Sequence, residues 1–276
     1  MVVPDISSGQ LTVTQRLLEM AQARADHRAL VGSCPAWTYS YGGLAATVQA
    51  AAAGLASRGL QPRDVVGIYA PDAACYALAA YTIRAAGAVP SPISAALTVA
   101  EIAGQLADCG ARMMLTGPPL AAAAQAAADR SWVRQVISFG DAAGATTFDA
   151  LLGIGQVLPV KARPHDLALL PYSRKPDGTL EAIPITHHDL ADQLRMLDAE
   201  AGIGARDVVL ATPPAGDGRT YSALLDHALT RGATIVAVRP DEIAAAASTH
   251  QGTLAILPGG YRASTPDQLR VFAVAS

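Results

Sequence analysis

Hydrophobic positions along this chain follow two alternating patterns, one with the spacing of a helix and one with the compactness of a buried strand. The segment LTVTQRLLEMAQARA, residues 11–25, carries apolar residues three and four positions apart, which predicts an amphipathic helix. The segment VVGIY, residues 65–69, is instead a short, wholly apolar run, typical of a strand that is covered on both faces.

The same alternation continues along most of the sequence. The predicted helices are residues 11–25, 41–58, 72–86, 98–108, 119–129, 187–202, 220–231 and 241–249. The predicted strands are residues 29–31, 37–39, 65–69, 88–90, 112–116, 133–139, 167–172, 208–211, 234–238 and 253–257, with a further strand in the final LRVFAVAS. Strands that alternate with helices of this length form βαβ units, so the predicted fold class is α/β with mostly parallel sheets.

One segment interrupts the alternation. Residues 150–165 are the least periodic part of the chain and contain two glycines and two prolines. We interpret this segment as a crossing between two packed βαβ subdomains, residues 1–160 and residues 161–276, of which the second is incomplete.

Composition and charge exclude several classes of protein. The 276 residues are 51% hydrophobic, which is enough apolar material for one large domain or two modest ones. A formal charge of −3 and an aromatic content of 5% argue against a nucleic-acid binder, which needs a basic face and stacking side chains.

The cysteines and the apolar tracts indicate the cellular compartment of the protein. Cys34, Cys75 and Cys109 are scattered singly, without metal-ligand spacing, which suits a reducing cytosol. The N-terminus lacks the basic start and apolar core of a signal peptide, and the alanine-rich tracts are broken by polar residues. We therefore expect a cytoplasmic protein without a membrane span.

The stretch PYSRKPDGTLEAIPITHHDL, residues 171–190, raises the question of whether the chain has a nucleotide-binding site. It has the order strand, tight loop, helix, and that layout often cradles a phosphate at a helix N-terminus. The loop nevertheless contains a proline, an aspartate and a glutamate where a phosphate loop needs small residues.

Several collinear segments identify a family. The chain resembles the N-terminal region of adenylate-forming enzymes, the group of acyl-CoA synthetases and 4-coumarate–CoA ligases. The segments that carry the resemblance are residues 38–93 (TYSYGGLAAT to GAVPSPI), 97–116 (LTVAEIAGQLADCGARMMLT), 166–173 (DLALLPYS), 202–214 (GIGARDVVLATPP) and 228–238 (ALTRGATIVAV). The resemblance runs along nearly the whole chain and implies a truncated N-terminal domain of that family.

The resemblance also implies where the family's phosphate loop lies. Ser173, Gly178 and the pair Thr186–His187 match its pattern of small residues, proline–lysine–glycine and threonine–histidine. Residues 174–177 (Arg, Lys, Pro and Asp) replace small or hydroxyl residues, and Leu180, Glu181 and Ala182 occupy the proline–lysine–glycine positions. The candidate ligand-binding positions are Ser173, Arg174, Lys175, Gly178, Thr179, Glu181, Thr186, His187 and Asp217.

These replacements change the charge and the donors of the loop. Glu181 stands in place of a cation, and unit charges at contact distance interact by about 1–4 kcal/mol in watery surroundings. Pro176 has no N–H to offer a phosphate. Arg174 and Lys175 could hold a phosphate as point charges, but we favour a solvated turn around Pro176, Asp177 and Gly178.

Two further departures concern the acyl pocket and the end of the chain. In PPAGDGRTYS, Asp217 stands where the family has a pocket histidine, and Thr220 stands near its glycine. The resemblance implies that the adenine-binding segment, the acidic magnesium residue, the ribose-binding aspartate and the C-terminal domain with its catalytic lysine all lie beyond Ser276. We therefore expect that the chain does not adenylate a substrate by itself.

No other catalytic or metal site emerges from the sequence. His187 and His188 are consecutive and point to different sides of a helix, so they do not ligate one metal together. We interpret His227 and His250 as surface or capping residues, and Glu101 and Asp108 as solvated carboxylates on a helix face. We expect no catalytic residue and no metal.

The favoured hypothesis is a non-catalytic homologue of acyl- or aryl-CoA ligases that acts by binding. Its ligand would be a partner protein, a second copy of the chain held through surface that the truncation exposes, or a small carboxylate, acyl or nucleotide ligand. We expect no cofactor. The alternatives are one part of a split acyl-CoA ligase, which would bind ATP or AMP and CoA together with another polypeptide, and an excised fragment of a longer enzyme.

Overall fold

The computed structural model describes residues 11–33, 37–155, 160, 162–213, 218–259, 261 and 268–274. The helices are α1 (Val13–Ala23), α2 (Tyr41–Ser57), α3 (Ala73–Ala85), α4 (Val99–Asp108), α5 (Ala121–Ala128), α6 (His187–Ala201), α7 (Gly218–Thr230) and α8 (Ile243–His250). The strands are β1 (Arg28–Val31), β2 (Thr38–Ser40), β3 (Val65–Tyr69), β4 (Val89–Pro92), β5 (Met113–Thr116), β6 (Gln135–Ser138), β7 (Thr146–Thr147), β8 (Leu167–Leu169), β9 (Tyr172–Arg174), β10 (Leu180–Ala182), β11 (Ile185–Thr186), β12 (Val208–Ala211), β13 (Thr234–Ala237), β14 (Leu254–Pro258) and β15 (Arg270–Val274).

The chain forms two compact units. Unit 1 comprises Met1–Ala45, Asp72–Ala77 and His187–Ser276. Its sheet has six strands in the order β15-β14-β12-β13-β1-β2, and all neighbours are parallel except β1 and β2. Apolar side chains of β12, β13 and β14 pack with Ile243 of α8 in one buried cluster, so the strands are covered as their continuous apolar pattern predicts.

Unit 2 comprises Ala46–Pro71 and Leu78–Thr186. Its main sheet has five parallel strands in the order β4-β3-β5-β6-β7. Two short antiparallel pairs, β9 with β10 and β8 with β11, accompany it. The predicted α/β class with mostly parallel sheets is confirmed.

Local sequence signals explain several of these boundaries. Strand β3 begins and ends where its apolar run does. Helix α4 begins after Thr98, whose hydroxyl accepts the amide of Glu101 while the Glu101 carboxylate accepts the amide of Thr98, forming a capping box. The turn after α4 contains Gly110 at φ +65°, a left-handed conformation that favours glycine.

The predicted strand 167–172 proves to be two separate pieces. Residues 167–169 form β8, which pairs with β11, and the chain pairs again only from Tyr172 in β9. Buried side chains of unit 2 hold β8: Arg84 donates through Nε to the carbonyl of Ala168 (3.0 Å), and Ser91 donates to the carbonyl of Leu170 (2.8 Å). Residues 162–186 group with unit 2, whereas the sequence-based division lies at residue 160.

Helix α7 differs from the sequence-based interpretation. Residues Tyr221–Thr230 are all buried, so the helix has no solvated face over that length. The side chain of His227 is 0% exposed, and its interpretation as a surface or capping residue is wrong. Among the described residues, no helix is both long and apolar enough to cross a membrane.

Candidate functional site

The candidate phosphate loop is a β-hairpin built from β9 and β10. The strands pair Ser173 with Glu181 and Arg174 with Leu180. The amide of Lys175 donates to the carbonyl of Thr179 (2.8 Å), and the amide of Gly178 donates back to the carbonyl of Lys175 (2.9 Å). Pro176 and Asp177 therefore occupy the central positions of a tight turn, and Gly178 follows at φ +87°. This is the pattern of a three-residue hairpin loop.

The side chain of Asp177 stabilises the turn from within. Its Oδ1 accepts the amide of Thr179 (2.9 Å) and the hydroxyl of Thr179 (2.6 Å). These two hydrogen bonds, the hydroxyl first, lower the pKa of the Asp177 carboxyl below its ordinary value. Such aspartate turns are common in tight loops because the side chain mimics a backbone acceptor.

Both cations of the hairpin have carboxylate partners. Lys175 Nζ lies 3.2 Å from Glu181 Oε1. Arg174 donates through Nη2 to Glu101 Oε1 (2.6 Å) and through Nη1 to the carbonyl of Gly178 (2.8 Å). With Asp177, three carboxylates thus surround two cations, and the local charge is negative.

Two carboxylates of α4 hold the hairpin in place. Glu101 and Asp108 are seven residues apart, which puts them on the same side of the helix. Tyr172 and Arg174 lie on the same face of β9; the Arg174 guanidinium reaches Glu101, and the Tyr172 hydroxyl donates to Asp108 Oδ2 (2.5 Å). Asp108 is exposed and Glu101 is half-buried, so both carboxylates remain in contact with solvent, as interpreted, while they also bind the hairpin.

The surroundings of these groups shift two pKa values. The amide and hydroxyl of Thr98, followed by the Arg174 guanidinium, lower the pKa of Glu101 to about 2. Burial raises the pKa of the Tyr172 hydroxyl, and its hydrogen bond to the Asp108 carboxylate adds to the rise. Glu101 is therefore ionised and Tyr172 neutral at physiological pH, which preserves both contacts to the hairpin.

The structure brings together six of the nine candidate positions. Ser173, Arg174, Lys175, Gly178, Thr179 and Glu181 all lie on the hairpin, and all are exposed. Thr186 and His187 lie beyond it, where β11 ends and α6 begins. Asp217 lies outside the described residues.

The hairpin uses its backbone donors internally. The amides of Lys175, Gly178 and Thr179 are all engaged within the loop, and Pro176 has none. A phosphate nest needs successive N–H groups that point outward at the anion. These three amides and the two ion-paired cations are thus donors and charges that already have protein partners.

A second polar group is buried in unit 1. His227 Nε2 lies 3.6 Å from Asp198 Oδ1, while the other oxygen of that carboxylate is ion-paired with Arg231. Since the Asp198 charge is already engaged, burial prevails and lowers the pKa of His227 to about 4. Within the described residues, no three His, Cys, Asp or Glu side chains are arranged to hold a metal ion.

Sequence reasoning missed Glu101, Asp108 and Tyr172 as parts of this site. Two signals could have pointed to these residues: Thr98 and Glu101 have the spacing of a capping box, and Tyr172 and Arg174 are two positions apart, as residues on one face of a strand are. Neither signal indicates that α4 contacts the hairpin, because the hydrogen bonds between them join residues 64 and 73 positions apart.

Comparisons with known proteins agree with this architecture. The family model for the AMP-binding enzyme matches residues 17–257. A 4-coumarate–CoA ligase-like protein of Oryza sativa subsp. japonica is 31% identical over 198 residues, covering 67% of this chain and 34% of the relative. The chain spans about a third to a half of the length of the curated relatives that it matches.

Solved structures share the fold. The apo structure of MbtA from Mycobacterium smegmatis superposes with a TM-score of 0.81 at 26% identity, covering 90% of this chain and 48% of that one. A long-chain-fatty-acid–CoA ligase from Archaeoglobus fulgidus superposes with a TM-score of 0.80 at 18% identity, covering 93% and 52%. The latter likeness concerns the fold alone.

Proposed function

This chain belongs to the AMP-binding enzyme family, and from that premise we propose that it is a non-catalytic member that acts by binding. Its ligand is a partner protein, a second copy of the chain, or a small carboxylate or acyl ligand, and it works in the cytoplasm without a cofactor of its own. The observation that carries the proposal is the hairpin, whose donors and cations are already satisfied by protein groups.

The argument against ATP at the hairpin is electrostatic and steric. A triphosphate would have to displace Glu181 from Lys175 and Glu101 from Arg174 before either cation could serve it. It would also have to break the turn bonds of Gly178 and Thr179 to obtain backbone donors. Each step removes a charge-assisted or backbone hydrogen bond, and the carboxylates that remain repel the phosphates.

Calorimetric titration with ATP–Mg²⁺ and with AMP tests the proposal. We expect the hairpin to take no part in nucleotide binding. Where the chain binds ATP or AMP, Lys175→Ala and Arg174→Ala should therefore leave the affinity unchanged. The matched control is Arg206→Ala, which removes an exposed cation of unit 1. Micromolar binding of ATP that weakens only in the two hairpin variants would contradict the non-catalytic proposal.

The second candidate is one part of an ATP-dependent carboxylate–CoA ligase completed by another polypeptide. It is favoured by the extent of the likeness, since about nine-tenths of this chain superposes on about half of proteins described as ligases. On this reading ATP or AMP and CoA bind only in the assembled enzyme. Pyrophosphate release that depends on an added carboxylic acid and on a second polypeptide would establish it.

A further inference from the structure

A cavity of about 240 Å³ lies at the amino ends of three parallel strands of unit 2. Its lining includes Val65, Met113 and Gln135, the first residues of β3, β5 and β6. The hairpin residues do not line it, so the cavity is separate from the candidate phosphate loop.

The cavity is lined by an excess of positive charge. Arg58, Arg112 and Arg134 contribute three guanidinium groups, and Asp64 contributes one carboxylate, so the lining carries a net charge of 3 − 1 = +2. The Asp64 carboxylate accepts the amide of Gln61 (2.8 Å) and closes its own turn. Among the ion pairs of the described residues, none involves these three arginines.

Hydrogen bonds join the segments that line the cavity and use few of the guanidinium N–H groups. The amide of Arg134 donates to the carbonyl of Arg112 (2.8 Å), and the side-chain amide of Gln135 donates to the carbonyl of Arg58 (3.3 Å). Arg58 also donates through Nη2 to the carbonyl of Ala150 (3.2 Å). These hydrogen bonds fix the backbone around the cavity, so the three arginines line a preformed concavity.

Two buried polar atoms that belong to lining residues lack a hydrogen-bond partner among the described protein atoms. They are Nε of Arg58, a donor, and Oε1 of Gln135, an acceptor. Leaving such groups unpaired is costly, so they are usually satisfied by a ligand or by water. Arg58 therefore keeps a guanidinium donor that no described protein acceptor takes up.

We propose that this cavity binds a small phosphate-bearing anion. A doubly charged anion balances the net charge of the lining, and the planar guanidinium matches phosphate oxygens in pairs. The volume lies below the roughly 300–1,000 Å³ of pockets for drug-sized ligands, which favours a group of the size of orthophosphate or pyrophosphate. The site does not depend on the hairpin, so it stands whether or not the chain proves non-catalytic.

The test is calorimetric titration of the whole chain with sodium pyrophosphate at low ionic strength. The variant Arg112→Gln/Arg134→Gln removes two guanidinium groups from the lining, and both side chains are exposed, which preserves the fold. The matched control, Arg130→Gln/Arg206→Gln, removes the same charge from exposed positions outside the lining. We expect the first variant to lose roughly tenfold or more in affinity, and the control to stay within about twofold.

Parallel titrations with orthophosphate and AMP distinguish the sources of the phosphate group. Tighter binding of AMP assigns the site to a nucleotide phosphate, and tighter binding of pyrophosphate or orthophosphate assigns it to a free phosphate. Loss of binding in Arg58→Gln, with unchanged circular dichroism, supports the same site if the double variant does not fold.

The rival explanation is that these arginines only offset the partial negative charge at the C-terminal ends of α2 and α4. In that case wild type binds none of the three anions, or the lining variant and the control lose affinity equally. Either result overturns the proposal.

Discussion

Two regions of unit 2 contain neighbouring cations, and the surroundings of these cations differ. In the β9–β10 hairpin, Arg174 and Lys175 each face a carboxylate, and the backbone donors close the turn. The cavity at the amino ends of β3, β5 and β6 is lined by three arginines and one carboxylate. That carboxylate belongs to Asp64 and accepts an amide within its own turn. The difference leads us to expect that affinity for an anion depends on the cations that lack an ion-pair partner, and not on the number of cations in a segment.

Charge reversal should produce the largest difference in pyrophosphate affinity between the cavity and the hairpin. We expect Arg112→Glu/Arg134→Glu to weaken pyrophosphate binding by roughly 100-fold or more, because two attractions become repulsions. The same change in the hairpin, Arg174→Glu/Lys175→Glu, should leave the affinity within about twofold. Calorimetry measures both, and equal losses in the two variants would show that net charge alone governs binding.

His227, a buried histidine in unit 1, has a pKa that burial lowers although a carboxylate oxygen of Asp198 lies 3.6 Å away. The pKa of His227 is lowered from 6.5 to about 4, so the unfolded chain takes up the proton first as the pH falls. Stability should therefore drop between about pH 6.5 and pH 4, by about 2 kcal/mol from pH 7 to pH 5. We expect His227→Phe, which cannot titrate, to lose that pH dependence in urea unfolding.

The control for this prediction is His250→Gln, a substitution elsewhere in unit 1 that should retain the pH dependence of wild type. An unchanged slope between pH 7 and pH 5 in His227→Phe would contradict the prediction. If His227→Phe is too unstable to measure, His227→Met provides a second nontitrating variant.

Removing the contact of Tyr172 with α4 tests whether this contact stabilises the hairpin against the helix. We expect Tyr172→Phe to lower the free energy of unfolding by about 1 kcal/mol, because it removes one hydroxyl that donates to Asp108. In hydrogen exchange, the amides of Lys175, Gly178 and Thr179 should also exchange faster. The loss should shrink in an Asp108→Ala background, and an equal loss there would rule out this contact as the cause.

Neutralising the hairpin carboxylates should produce the smallest effect. In the Arg112→Gln/Arg134→Gln background, we expect Glu101→Gln/Glu181→Gln to raise affinity for pyrophosphate by roughly three- to fivefold, because Arg174 and Lys175 lose their partners. The control, Asp141→Asn/Glu200→Gln, makes the same charge change at exposed positions. A rise of similar size in the control would refute a specific role for the paired carboxylates.

Much of the fold could be predicted because its signals are local. The apolar run 65–69 coincides with β3, and the predicted helix 98–108 nearly coincides with α4. The split of residues 167–172 could not be predicted, since a continuous apolar run does not reveal that Pro171 separates two pairings with different partners. His227 was misjudged because helix α7 is buried around its whole circumference, which its own pattern does not disclose.

The amino-acid sequence by itself determined the α/β class, the family and the tight turn at Pro176, Asp177 and Gly178, since each depends on residues that are close along the chain. Only the tertiary structure decided which charges are paired. Glu101 and Asp108 contact the hairpin, and Arg58, Arg112 and Arg134 line one cavity, because the fold brings distant segments together. Electrostatic pairing depends on distances of a few ångströms in space, and sequence separation carries no information about them.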